Sequence, residues 1–163
     1  MTSDAPDADV TSSSHRLADV VSTASDFGAV WVALAAAQVL TRRATPRQAA
    51  IRLGAAGLTS LVLTRWLKHR YAVPRAPATP ATIARTPTSD RFPSGHTLAA
   101  FTAALTVPTR PIGRATAIAF AALVAWSRVR IGHHRTVDVV AGAAVGTIAG
   151  SALAAVISAG ATP

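Results

Sequence analysis

Cysteine is absent from all 163 residues, which excludes disulfides and thiolate metal sites. Glutamate is absent as well, because all seven acidic residues are aspartate. Lysine occurs once, at Lys68, among 16 basic residues that are otherwise arginine. Charged residues make up only 14% of the chain and aromatic residues 5%, too few for the basic stripe with stacking rings that nucleic-acid binding uses. The composition is instead apolar. Half the residues are hydrophobic and the mean hydropathy is +0.37, high for a soluble domain and ordinary for a small multispanning membrane protein. The net charge of +9 comes from arginines set between apolar stretches, where lipid headgroups and a phosphate site explain them better than a nucleic acid does.

Read in order, the chain is one domain, residues 16–163, behind a polar stretch, residues 1–15. That stretch carries Asp4, Asp7, Asp9 and a Ser-rich run, lacks the basic start and apolar core of a signal peptide, and reads as a disordered tail. The apolar segment Leu17 to Leu40 predicts a first helix, and a basic loop with Arg42, Arg43 and Arg47 follows. A second helix is expected from about Arg47 to Lys68, with Arg52 and Arg65 snorkelling to the interface. Between Tyr71 and Pro93 the prolines leave room only for an irregular loop. Further helices are expected from Ser94 to about Val107, from Ala115 to Arg130 and from His134 to about Ile157. The resulting fold class is all-α, a multispanning transmembrane bundle of about five helices. Gly142, Gly146 and Gly150, four apart in the last helix, suit close helix packing, and a homo-oligomer stays open.

Three stretches carry chemistry. In Ser127 to Asp138 the pattern is Ser-Arg, five residues, His, three residues, Asp. On a helix His134 and Asp138 share a face, so the carboxylate can fix one imidazole nitrogen and leave the other as base or nucleophile, whereas His133 meets Val137. Pro93-Ser94-Gly95-His96 has the composition of a helix N-terminus, whose N–H groups bind anions and phosphate above all. Lys68 and Arg75, with six residues between them, stand before it. A metal reading of His133, His134 and Asp138 is disfavoured, since adjacent helical histidines diverge by about 100°.

Together these stretches, over about residues 66–140, resemble the signature of the type 2 phosphatidic acid phosphatase superfamily, which includes vanadium-dependent haloperoxidases. That signature is Lys-x6-Arg-Pro, Pro-Ser-Gly-His and Ser-Arg-x5-His-x3-Asp. Here Ala76 follows Arg75, and the proline comes one place later as Pro77. The family usually has six spanning helices with the motif on the last four, so the first is expected to be missing here. The resemblance implies catalytic roles for His134, His96 and Asp138, and phosphate-binding roles for Lys68, Arg75, Ser94, Gly95 and Arg128. It implies a phosphohistidine on His134, oriented by Asp138, with His96 protonating the leaving oxygen and then activating water. No metal and no cofactor are expected.

The expected function is therefore that of an integral-membrane lipid phosphatase whose partners are the bilayer and a lipid phosphate or diphosphate. Small size favours a polyprenyl phosphate, polyprenyl diphosphate or prenyl-linked phosphosugar of cell-envelope synthesis. Phosphatidic acid and phosphatidylglycerophosphate are the alternatives, vanadate-dependent halide oxidation ranks far below, and a non-catalytic binding or scaffold protein is the competing class. Helix reversal places the motif residues on one face of a cell membrane. The opposite face carries Arg42, Arg43, Arg47, Arg52, Arg110 and Arg114 without an acid, which favours an extracytoplasmic site.

Overall fold

The computed structural model describes residues 5–25, 28–73 and 92–160. Among the described residues the elements are all helical: α1 (Ala5–Ser25), α2 (Ala29–Leu40), α3 (Pro46–Tyr71), α4 (Gly95–Thr106), α5 (Pro111–Arg130) and α6 (Thr136–Ala159).

Among the described residues six helices stand where about five were expected, because the first apolar segment is broken. Gly28 sits before α2 with φ of +69°, a left-handed conformation that glycine adopts without a Cβ clash and that ends a right-handed helix. The stretch expected as a disordered tail is also helical from Ala5. The start of α3 is fixed by a reciprocal cap: Thr45 Oγ1 accepts from the Gln48 N–H at 3.2 Å, Gln48 Oε1 accepts from the Thr45 N–H at 3.0 Å, and Pro46 opens the helix.

α4 lies in the middle, packed by α3, α5 and most closely by α6. α1 lies along α5, and α2 joins α3. The core is built mostly of alanine, with Ala35, Ala49, Ala56, Ala100, Ala103, Ala104, Ala117 and Ala121 buried around Val107 and Val124. Such small side chains let helix backbones approach. Larger rings join this core where buried Trp31 of α2 meets Phe120 of α5 edge-to-face at 5.9 Å.

The α4–α6 contact is closest of all. A methyl group at Gly142 would stand 2.6 Å from the Ser94 carbonyl oxygen, one at Gly146 2.5 Å from that of Leu98, and one at Gly150 2.8 Å from that of Thr102. Hydroxyls use the same proximity: Thr102 Oγ1 donates to the Leu98 carbonyl at 2.9 Å and reaches the Gly146 carbonyl at 3.3 Å. Thr106 repeats the pattern with Thr102 at 2.8 Å and Gly150 at 3.4 Å.

The far end of α4 is closed by side chains from two neighbours. Arg52 Nη1 donates to the Thr106 carbonyl at 2.9 Å, so it caps a helix end, not the bilayer interface expected for it. Buried Gln38 donates to the Val107 carbonyl at 3.1 Å and accepts from both the N–H and the hydroxyl of Thr109 at 2.9 Å.

Among the described residues two helices are long and apolar enough to cross a membrane, α5 and α6, while apolar α2 is only 12 residues long. Only 17% of the apolar window of α6 is buried in the bundle, so this helix shows its hydrophobic surface outward, unlike a soluble core helix.

Gly146→Val should lower the thermal midpoint of the detergent-solubilised protein, by about 1–3 kcal/mol of stability from overpacking. Gly54→Ala, whose added methyl meets nothing within 4 Å, should leave the midpoint unchanged or raise it. Equal effects of the two would remove the close α4–α6 contact as the reason for the glycines.

Candidate active site

Four helix ends converge where α3 and α5 finish and α4 and α6 begin. The ends of α4, α5 and α6 are anchored to one another through the main chain. The Ser94 N–H donates to the Asp138 carbonyl at 2.9 Å, tying the start of α4 to the first turn of α6. The His134 N–H donates to the Arg128 carbonyl at 3.1 Å, folding the α5–α6 turn back on the end of α5. Gly132, with φ of +75°, makes that reversal accessible.

His134 is not on α6. The helix starts at Thr136, so the one-turn helical spacing expected for His134 and Asp138 does not hold, and the turn brings them together instead. Asp138 Oδ2 accepts from the Arg135 N–H at 2.8 Å, satisfying a donor at the head of α6. The same oxygen lies 3.8 Å from His134 Nδ1, an ion-pair rather than a hydrogen-bond separation. One carboxylate thus caps the helix and faces the imidazole.

Burial separates these groups from ordinary surface charges. Asp138 is 1% exposed, Arg128 2% and His134 7%, whereas His133 is half-buried. Charged and polar groups are kept at such depth only when partners compensate their lost hydration. Arg128 Nη2 donates to the Ser22 carbonyl of α1 at 3.2 Å. Ser22 is in the last turn of α1, where carbonyls lack intrahelical donors and the helix end is negative, so it suits a guanidinium. The next turn of contact repeats the link, with Arg130 donating to Ser14 Oγ from Nε at 3.3 Å and Nη2 at 2.9 Å.

At the head of α4, Ser94 is fully buried and its side chain makes no cap of its own helix. It accepts instead from Thr97 Oγ1 at 3.0 Å. Gly95 faces α3, where a methyl group would stand 2.8 Å from Thr64 Cγ2. That approach brings the last turns of α3 to the head of α4, and Lys68, one turn after Thr64, is half-buried there. His96 is the second residue of α4 and half-buried. Arg75 lies outside the described residues, as do Arg85 and Arg91.

The structure therefore gathers Ser94, Arg128, His134 and Asp138 through direct contacts and sets Gly95, His96 and Lys68 at the adjoining helix ends. A family model described as the PAP2 superfamily matches residues 49–160, which is most of the chain and includes α4, α5, α6 and nearly all of α3. The chain belongs to the PAP2 superfamily. No curated protein and no solved structure matches it. Membership in this superfamily brings phosphatase chemistry on phosphate esters. Ser22 lies before the PAP2 match, so the hold on Arg128 comes partly from outside the superfamily region. Sequence patterns carry no signal for it, because the Ser22 acceptor is a main-chain carbonyl.

Asp138→Ala should lower stability by about 1–2 kcal/mol, through the loss of a helix-capping acceptor. Asp138→Asn keeps an acceptor oxygen for the Arg135 N–H and should stay near wild type. Urea or thermal titration in one detergent checks this, and equal losses would show that charge, not the cap, carries the contribution.

Proposed function

We propose that this PAP2-superfamily protein is an integral-membrane phosphatase of a lipid phosphate or diphosphate, acting through a phosphohistidine. The observation that supports it best is the convergence of a buried arginine, a buried histidine facing a carboxylate, and the head of α4 at one end of the bundle. Phosphoryl transfer needs anionic oxygens held while charge redistributes, and a helix N-terminus with fixed cations does this in a site shielded from water. Arg128 and Lys68 supply positive charge, Arg75 is assigned with them from its place in the motif, and Ser94 and Gly95 begin the helix that offers N–H donors.

In this reading His134 Nδ1 faces Asp138, which leaves Nε2 to attack phosphorus. The P–N bond forms as the bond to the leaving oxygen breaks, and His96 gives that oxygen its proton. Water then attacks the phosphohistidine, His96 takes the proton, and the P–N bond breaks to release phosphate and restore His134. No step calls for a metal.

Large apolar side chains on the outside of the bundle support a bilayer setting. Val137, Val140, Ile148 and Val156 are exposed along α6, and Leu58, Leu61, Val62 and Trp66 along α3. We read α3 as a further span, with Arg47 and Arg52 in its first turns, Arg65 toward its end, and Lys68, His69 and Arg70 in its last turn. α4, 12 residues and about 18 Å long, is too short to cross a ~30 Å hydrocarbon core and is sheltered among its neighbours. A polyprenyl phosphate, polyprenyl diphosphate or prenyl-linked phosphosugar of cell-envelope synthesis is the preferred substrate class, with the site on the extracytoplasmic face.

Purified protein in detergent with EDTA should release phosphate from at least one of farnesyl phosphate, a polyprenyl diphosphate, phosphatidic acid and a prenyl-linked phosphosugar. His134→Ala should reduce turnover by at least about a thousandfold, as loss of a nucleophile does. Release that needs added metal, or a mutant that matches wild type, would overturn the histidine mechanism. Orientation is read separately by Arg110→Cys in this cysteine-free chain: a membrane-impermeant maleimide should label it only after the cells are opened. Labelling in intact cells would put the site on the cytoplasmic face.

A further inference from the structure

Beside the candidate site, α3 and α6 diverge and leave an apolar groove of about 460 Å³. Leu67 and Tyr71 of α3, Phe92 and Pro93 ahead of α4, and Ala141 and Val145 of α6 line it. Tyr71 and Phe92 meet edge-to-face at 5.8 Å and form a firm aromatic wall. The volume falls in the range of small-molecule sites, so it is no packing defect. Walls of this kind give water almost nothing to hydrogen-bond.

We propose that this groove seats the first part of the hydrocarbon chain of the phosphate ester whose head occupies the candidate site. The inference rests on the phosphatase reading above and adds where the chain lies. Continuity with the site carries it. Leu67 directly precedes Lys68, Pro93 directly precedes Ser94, and Ala141 follows Asp138 by three residues, so the groove and the polar site are built from the same backbone segments. Character then changes over one helical turn, from buried charge at Arg128 and Asp138 to a lining that is almost wholly apolar. A ligand that matches both has an anionic head joined directly to an aliphatic chain.

The outer end points the same way. Ala141 and Val145 are half-buried, and their neighbours Val140, Ala144 and Ile148 are exposed on the outer surface of α6. The groove thus runs from the polar site to the apolar exterior, the path a chain takes if its far end stays in lipid. Its existence follows from helix packing. The glycine face holds α6 against α4, while α3 touches α6 only lightly, and the small side chain of Ala141 leaves the gap open.

Filling the groove tests this. Val145→Trp and Ala141→Phe are compared with Ile148→Trp, which adds the same bulk at a position 72% exposed and outside the groove. Each variant is assayed with farnesyl phosphate, with dodecyl phosphate and with p-nitrophenyl phosphate, which has no chain. Both groove variants should lose at least about tenfold in kcat/KM on the two chain-bearing esters and stay within about twofold on the chainless one, while Ile148→Trp changes none. Loss on only one chain type would assign the groove to isoprenoid or to straight-chain substrates. An unchanged ratio of chain-bearing to chainless rates overturns the proposal. If Val145→Trp fails to fold, Val145→Leu, one methylene larger, decides on the same ratio. Wild-type protein that hydrolyses none of the three overturns the phosphatase reading itself, whereas wild-type activity with unchanged ratios overturns only the groove.

Discussion

Contact between α4 and a glycine face of α6 that carries no side chains is the constraint on which the rest of this structure depends. Gly142, Gly146 and Gly150 occupy successive turns of one helix face, each against a carbonyl of α4. Helices normally pack with side chains interposed, at 8–10 Å between axes. Removing the Cβ at every turn lets the two backbones close in, and the threonine hydroxyls of α4 then reach carbonyls across the interface. The register that results sets Ser94 opposite Asp138, so the same packing that stabilises the bundle positions the heads of both helices.

Polar groups concentrate at the two ends of this pair, and each end is resolved differently. At the α4 C-terminus, carbonyls left over by helix geometry are met by Arg52 and Gln38, which come from α3 and α2 and make that end structurally complete. At the α4 N-terminus, Ser94 does not cap its own helix. The buried groups there, Arg128, His134 and Asp138, are compensated by a few main-chain contacts and by one another. Low dielectric makes such an assembly costly to build and strong toward an incoming anion. This asymmetry between a closed end and an end rich in buried charge is what the proposed phosphate site would use.

α1 adds a component outside the region shared with the superfamily. Its last turn turns a negative helix end toward Arg128, with Ala18, Val21 and Ser22 buried along α5. A guanidinium has five donors in a fixed plane, so one bond to a carbonyl sets the direction of the others. The N-terminal segment thus bears on the orientation of a residue more than a hundred positions away.

Much of this was determined by the sequence alone. Apolar runs marked α3 to α6 to within a few residues, because uninterrupted hydrophobicity between prolines and arginines leaves helix as the element that satisfies its own backbone. The motif order also placed Ser94, Arg128, His134 and Asp138 together, since helix reversals return the chain to one end. Local conformation was less legible. The break at Gly28 depends on one left-handed residue in an otherwise apolar segment, and the helical state of residues 5–15 was not legible in their polar composition. Only the tertiary structure decided that His134 precedes α6, that Asp138 divides its carboxylate between a helix head and an imidazole, and that Arg52 closes a helix instead of meeting lipid. Those outcomes turn on single hydrogen bonds between distant segments, whereas sequence periodicity reports only which face of a helix avoids water.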